Sequence, residues 1–157
     1  MRWDDYQRAL DLTGGEAEPL PEAERRALLQ EWRQAFAAGL YAATGRWRPP
    51  NYEWHVFSFG YARALKGEKA AAAYAAERPE AVVVCPESAA LPAFRLSGGA
   101  LPNFRAVVDD VYVWPADLAW TMAFTHEESM GLGPFFSRRE WVFPGATRAT
   151  KRRRRRT

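Results

Sequence analysis

A chain of 157 residues, 48% hydrophobic and 14% aromatic, is long enough for one domain with a real core and too short for two ordinary ones. Its formal net charge of +3 joins two regions of opposite sign, because Lys151 to Arg156 carry six positive charges and residues 1–150 hold 16 basic against 19 acidic groups, about −3. A basic face spread over the body is thereby excluded as the source of the high isoelectric point, a single cysteine excludes an internal disulfide, and no apolar run approaches the roughly 20 residues of a membrane helix.

Residues 1–12 suit a short helix with Trp3, Tyr6 and Leu10 on one side, broken by Thr13, Gly14 and Gly15. From Pro21 to about Thr44 the spacing of Leu28, Leu29, Trp32, Phe36 and Leu40 predicts one long amphipathic helix docked on a sheet. Pro21 suits its first turn, Glu22 and Glu24 favour the positive end of its dipole, and Gly45 supplies a stop. After Pro49 and Pro50, residues Tyr52 to Phe59 are apolar on both parities, the pattern of an interior strand. Glu68 to Ala76 has high helix propensity and predicts a second helix over about 67–77, ended by Pro79.

Ala81 to Cys85 reads as a short buried strand, with Cys85 a small hydrophobe rather than a reactive thiol. Pro86 to Pro102 reads as a long loop with room for a helical turn. Two strands follow, Asp110 to Trp114 and Ala119 to His126, joined by a connection short enough for an antiparallel hairpin. In the second, Trp120, Met122, Phe124 and His126 share one parity, the alternation of a half-buried strand. Phe135 to Val142 would close the fold as a short helix or edge segment. The expected class is α+β, a small mixed or antiparallel sheet of about four strands with flanking helices, in a single domain over residues 1–145. Residues 146–157 are expected to be a disordered arginine-rich tail.

Several motifs occur together: Trp54 to Ser58, Leu65 to Glu68, Val111 to Trp114, the stretch Asp117 to Glu127 ending in Thr125-His126-Glu127, and Gly133 to Phe136. From about residue 51 to about residue 142 the chain resembles a family of small bacterial proteins known only as domain of unknown function 4275. The N-terminal third is similar only in general character, and the tail looks private to this chain. The family's name carries no activity, so the resemblance implies a relative rather than a reaction. In build alone the chain is also loosely similar to toxin-immunity proteins, whose acidic surface groups complement a basic active site. The bacterial resemblance, together with the lack of a charged-then-apolar leader, points to a cytoplasmic setting.

Histidine and carboxylate chemistry would rest on His55, His126, Glu127 and Glu128, none of which stands at a recognised ligand or catalytic spacing. Zinc held by both histidines and a carboxylate would require neighbouring strands. The expectation is instead no metal and no cofactor, with the His126 ring bonded to a backbone carbonyl and His55 partly buried among Phe57 and Phe59. No serine sits in a Gly-x-Ser-x-Gly elbow, and Gly131-Leu132-Gly133 lacks the lysine and helix of a P-loop. Asp109 and Asp110 read as turn or capping groups. Among the seven tryptophans, Trp32, Trp54, Trp114 and Trp120 are assigned to the core and Trp47 to the surface.

The leading expectation is a non-enzymatic domain that binds another protein, with His126, Glu127, Glu128, His55 and Trp47 as its candidate surface. A second is an enzyme whose site lies at His126 and Glu127. A third is non-specific nucleic-acid or acidic-partner contact through Lys151, Arg152, Arg153, Arg154, Arg155 and Arg156.

Overall fold

A computed structural model of the chain describes residues 2–105, 107 and 109–142. In chain order it contains α1 (Arg2–Asp11), β1 (Glu16–Pro19), α2 (Glu22–Phe36), α3 (Ala38–Thr44), α4 (His55–Ser58), β2 (Leu65–Lys66) and α5 (Glu68–Ala75). Then come β3 (Ala81–Pro86), β4 (Phe94–Ser97), β5 (Val111–Pro115), β6 (Trp120–Phe124), a 3-10 turn (Glu128–Met130), β7 (Phe135–Arg138) and α6 (Arg139–Val142). The strands form one antiparallel sheet in the order β1-β4-β3-β5-β6-β7-β2.

The two faces of the sheet follow from the alternation of side chains along each strand. Val83, Cys85, Tyr112, Trp114, Ala123 and Phe135 join a core with Trp32, Phe36, Leu40, Trp54 and Phe57 of the α2–α4 side. Val82, Val84, Val113, Trp120, Met122, Phe124 and Phe136 join a second core with Tyr6 and Leu10 of α1 and Ala70 and Tyr74 of α5. Helices cover both faces, so all five residues of β5 and of β6 are buried. Among the described residues no helix is long and apolar enough to cross a membrane.

The α+β class therefore stands, but the sheet has seven strands rather than about four. β4 lies within the stretch read as a long loop and pairs with both β3 and β1, and β1 exposes all four of its residues. β1 carries no alternation of its own; β4 does, with Phe94 and Leu96 buried and Ser97 exposed, but over only four residues inside a stretch punctuated by proline and glycine. Phe135 to Arg138 forms an inner strand between β6 and β2 rather than an edge, and α6 follows it.

Two further expectations are corrected. Tyr52 to Phe59 is not a strand: the amides of His55, Val56 and Phe57 donate to the carbonyls of Tyr52, Glu53 and Trp54, winding the segment into turns that lead into α4. Trp54, Val56 and Phe57 are buried while Phe59 is exposed; an apolar run does not by itself tell a buried strand from a buried helical turn. The long helix is also broken at Ala37, whose φ of −105° and ψ of 14° separate α2 from α3. The break brings Gly39 against the Tyr61 carbonyl, so close that no side chain could stand there. The expected tail, residues 146–157, and the end of the expected 1–145 domain lie outside the described residues.

Candidate functional site

The β5–β6 hairpin pairs Val111 with Phe124, which brings Asp110, just before β5, to His126, just beyond β6. The His126 amide donates to Asp110 Oδ1 at 2.8 Å, and its ring Nδ1 lies 2.9 and 3.0 Å from the two carboxylate oxygens. The ring is therefore held by a buried carboxylate, 5% exposed, and not by the backbone carbonyl expected of it. Asp110 is more than a turn group. With the carboxylate accepting from Nδ1–H, the lone pair of the ring is at Nε2, which lies 3.7 Å from Glu127 Oε1.

α4 delivers the second histidine to the same corner. Tyr52 stands between the two, its ring centroid 4.9 Å from that of His126 and 5.6 Å from that of His55. His55 is stacked on Phe59 at 4.3 Å with the planes 1° apart, and touches Trp54 at 4.2 Å. Its Nδ1 is 2.9 Å from Ser58 Oγ. Partial burial lowers the His55 pKa below the usual histidine value; nearby Glu127 and Asp110 oppose that shift and His126 adds to it.

Of the five expected surface residues, His55, His126 and Glu127 come together and two do not. Glu128 turns to Arg105, accepting from its Nε at 2.7 Å, and Arg105 also holds Glu68 of α5. Trp47 is half-buried and stacked on Tyr41 at 4.3 Å. The tryptophan most open to solvent among those described is Trp3, at 43%.

A buried polar seam runs inward from the histidines. The Glu87 amide donates to the Asp110 carbonyl at 2.9 Å. Its carboxylate Oε1 accepts from the Glu53 amide at 2.7 Å and from the Tyr112 hydroxyl at 3.1 Å, and that hydroxyl in turn accepts from the Trp54 amide at 2.9 Å. Glu53, only 1% exposed, accepts at Oε1 from Arg33 Nη2 at 2.6 Å and Nε at 3.0 Å, with Arg48 Nε 3.4 Å away. Burial pushes the Glu87 carboxyl up to about 7; the charges of Glu53 and Asp110 assist, and the hydrogen bonds from Glu53 and Tyr112 oppose. Cys85 lies in the core, its thiol pushed up to about 12 by burial, which removes it as a nucleophile.

Sequence reasoning missed Asp110, Glu53, Glu87 and Arg33. A carboxylate within an aromatic run, as Glu53 is between Tyr52 and Trp54, was a usable signal, since such a position has no easy route to water. Among the described residues no group of three or more His, Cys, Asp or Glu side chains is arranged to hold a metal ion.

Residues 26–136 match the family described as a domain of unknown function, DUF4275. The chain belongs to this family. The matched span starts ahead of the motif resemblance, taking in most of α2 with Arg33, and it contains Glu53, Glu87, Asp110 and both histidines. No curated protein and no solved structure matches the chain.

Proposed function

We propose that this DUF4275 chain acts by binding another protein, and that the partner docks where Tyr52, His55, Phe59, His126 and Glu127 meet. The observation that carries this reading is Phe59, 58% exposed and stacked on His55. Single exposed apolar residues are ordinary on a protein surface. Phe59 instead caps a run of touching rings, His55, Trp54, Tyr52 and His126, whose inner member Trp54 is fully buried. A ring held in place by others loses little entropy on binding, which suits an anchor at the centre of an interface, while Glu127 and the imidazoles supply a polar rim.

A cytoplasmic partner is part of this reading. The immunity-like version narrows it to a toxin with a basic site, supported by the acidic body of about −3 and by Glu127 at the docking corner. Cross-linked co-purification from the source organism tests the proposal. One partner should be recovered with the parent chain, and Phe59→Ala or His126→Gln should lower its recovery about tenfold, as expected for an anchor worth ~1.4 kcal/mol, with the melting temperature of the exposed Phe59→Ala change unaltered. Equal recovery with all three proteins would move the interface elsewhere.

A second reading, an enzyme, is favoured by the Asp110–His126 contact. A buried carboxylate on Nδ1 orients an imidazole and leaves Nε2 able to take a proton from a substrate or a water. On this reading Asp110→Asn and His126→Gln both abolish turnover in a hydrolase or isomerase screen while Phe59→Ala does not.

A further inference from the structure

Arg105 lies outside the docking corner, yet all three nitrogens of its guanidinium are engaged beside it. Nη2 donates to Glu68 Oε1 at 2.7 Å and Nη1 to Glu68 Oε2 at 3.4 Å, a two-pronged grip on the first turn of α5. Nε donates to Glu128 Oε1 at 2.7 Å, and Nη2 stands 2.5 Å from the same oxygen. An isolated ion pair on a surface contributes little, but one guanidinium shared by carboxylates of two separate elements is a network with a defined geometry. The hydrogen bonds from Arg105 hold the Glu68 carboxyl below its usual range, and those to Glu68 and Glu128 raise the guanidinium in turn.

The backbone under Arg105 is fixed. Phe104 is buried between Tyr6 and Phe124, with ring centroids 5.6 and 5.5 Å away. The Tyr74 hydroxyl donates to the Pro102 carbonyl at 2.6 Å, and Asn103 Oδ1 accepts from the Arg105 amide at 3.0 Å. The guanidinium therefore starts from a rigid base.

What it holds is the turn that carries Glu127. The Glu127 carbonyl accepts from the amides of Met130 and Leu132 at 3.0 and 3.2 Å, closing residues 127–132 on themselves. Thr125 secures the far end of this turn, its hydroxyl donating to the Leu132 carbonyl, and Arg105 secures the near end through Glu128. Among the described residues no lysine or arginine pairs with the Glu127 carboxylate, whose neighbour is His126 Nε2 at 3.7 Å. Glu127 thus takes its place from the turn, and the near end of the turn takes its place from Arg105.

We propose that Arg105 is a positioning residue of the docking corner, setting through Glu128 where the Glu127 carboxylate is presented to a partner. This role rests on the docking reading above.

Two measurements on the full chain test it, and the first needs no partner. In Arg105→Gln the amides of Met130 and Leu132 should exchange with solvent about fivefold faster, as expected when a charged hydrogen-bond network that closes a turn is lost, while the amides of β5 and β6 keep their rates. The second is cross-linked co-purification. Arg105→Gln should lower partner recovery about fivefold, and Arg105→Lys by a similar factor, because an ammonium keeps the charge but has no fork to span two carboxylates. Unaltered exchange at Met130 and Leu132, or full recovery of the partner by Arg105→Lys, overturns the role of Arg105 and leaves the docking reading standing. A parent chain that recovers no partner sinks the docking reading and this role together.

Discussion

On the side of the sheet covered by α1 and α5, Val82, Val84, Val113, Trp120, Met122 and Phe124 pack with Tyr74 and Phe136. Polar atoms on this side are carried to the margin: the hydroxyls of Tyr6 and Tyr74 reach the carbonyls of Pro92 and Pro102. On the side covered by α2, α3 and α4, Trp32, Tyr112, Trp114 and Phe135 fill a core of similar aromatic content. There, however, polar groups go inward. Trp32 Nε1 donates to Thr121 Oγ1 at 2.9 Å within the core, and the seam from Glu53 through Glu87 to Asp110 runs along its border. Buried polar groups oppose folding unless each is matched. A chain able to build the first face did not need the second for stability alone, so the polar side is where to look for function.

The comparison breaks first if the apolar side proves soft. Trp120 is 3% exposed and wedged between Tyr74 and Phe136, with ring centroids 5.7 Å from each. Trp120→Ala should destabilise the chain by about 3–5 kcal/mol, the usual effect of removing a buried large aromatic. Urea unfolding measures it, and a loss under about 1 kcal/mol would mean that this face does not carry the stability assigned to it.

On the polar side the expected losses are smaller and coupled. Glu53→Ala leaves Arg33 unpaired, and breaking a buried ion pair from one end is destabilising by about 3–5 kcal/mol; the 23% exposure of the Arg33 side chain lets water take part, so about 2–3 kcal/mol is expected. The double variant with Arg33→Ala should recover part of that loss, since the second change removes the stranded charge. Strict additivity in the four-way comparison would show that the pair is solvated and the seam no more than surface.

The same division separates what the sequence disclosed from what it did not. Trp120, Met122 and Phe124 share a parity in the sequence and a core in the structure, because alternation is a local property that survives folding. β1 was invisible for the opposite reason: Glu16 pairs with Ser97 and Pro19 with Phe94, contacts between distant segments that leave no local pattern in β1; β4 does alternate, Phe94 and Leu96 being buried, but four residues between prolines and glycines are too short a run to mark a strand. The segment from Tyr52 to Phe59 misled because its apolar residues satisfy both periods, although the outward placement of His55, Ser58 and Phe59 follows helical spacing. Both histidines and Glu127 were visible as chemistry. Asp110, Glu53 and Glu87 were not, because a carboxylate in a sequence is taken to be solvated until tertiary packing encloses it.

Glu87 offers a finer test through pH. Its carboxyl in the folded chain titrates at about 7 against an ordinary 4.5, so between those values the folded state keeps a proton that the unfolded state has released. Stability therefore falls as pH rises through this window and levels off above it. Glu87→Gln keeps the acceptor for the Glu53 amide and removes the titration. Relative to the parent, the variant should gain about 1–2 kcal/mol between about pH 5 and pH 8, a figure lowered for partial solvent screening. Urea melts at the two pH values test the sign as well as the size, and parallel profiles would mean that the seam does not enclose Glu87.

The smallest effect on folding is expected from residues 151–157, a run of six basic residues and a threonine. Deleting Lys151 to Thr157 removes six positive charges and takes the formal net charge from +3 to −3. A like-charged segment with no large apolar residue has nothing to add to either core, so the melting temperature should move by less than about 1 °C. DNA retention should respond in the opposite way. At low salt the full chain should be held by its arginines, with an affinity that drops steeply as salt is added, whereas the truncated chain, net acidic, should be repelled by phosphate at low salt and not retained at any salt concentration. Thermal melts and salt-titrated DNA binding of both lengths decide the matter together. DNA binding that persists without the tail would place a basic surface on the body itself, and the exposed Arg26 and Arg48 would then be the first to replace.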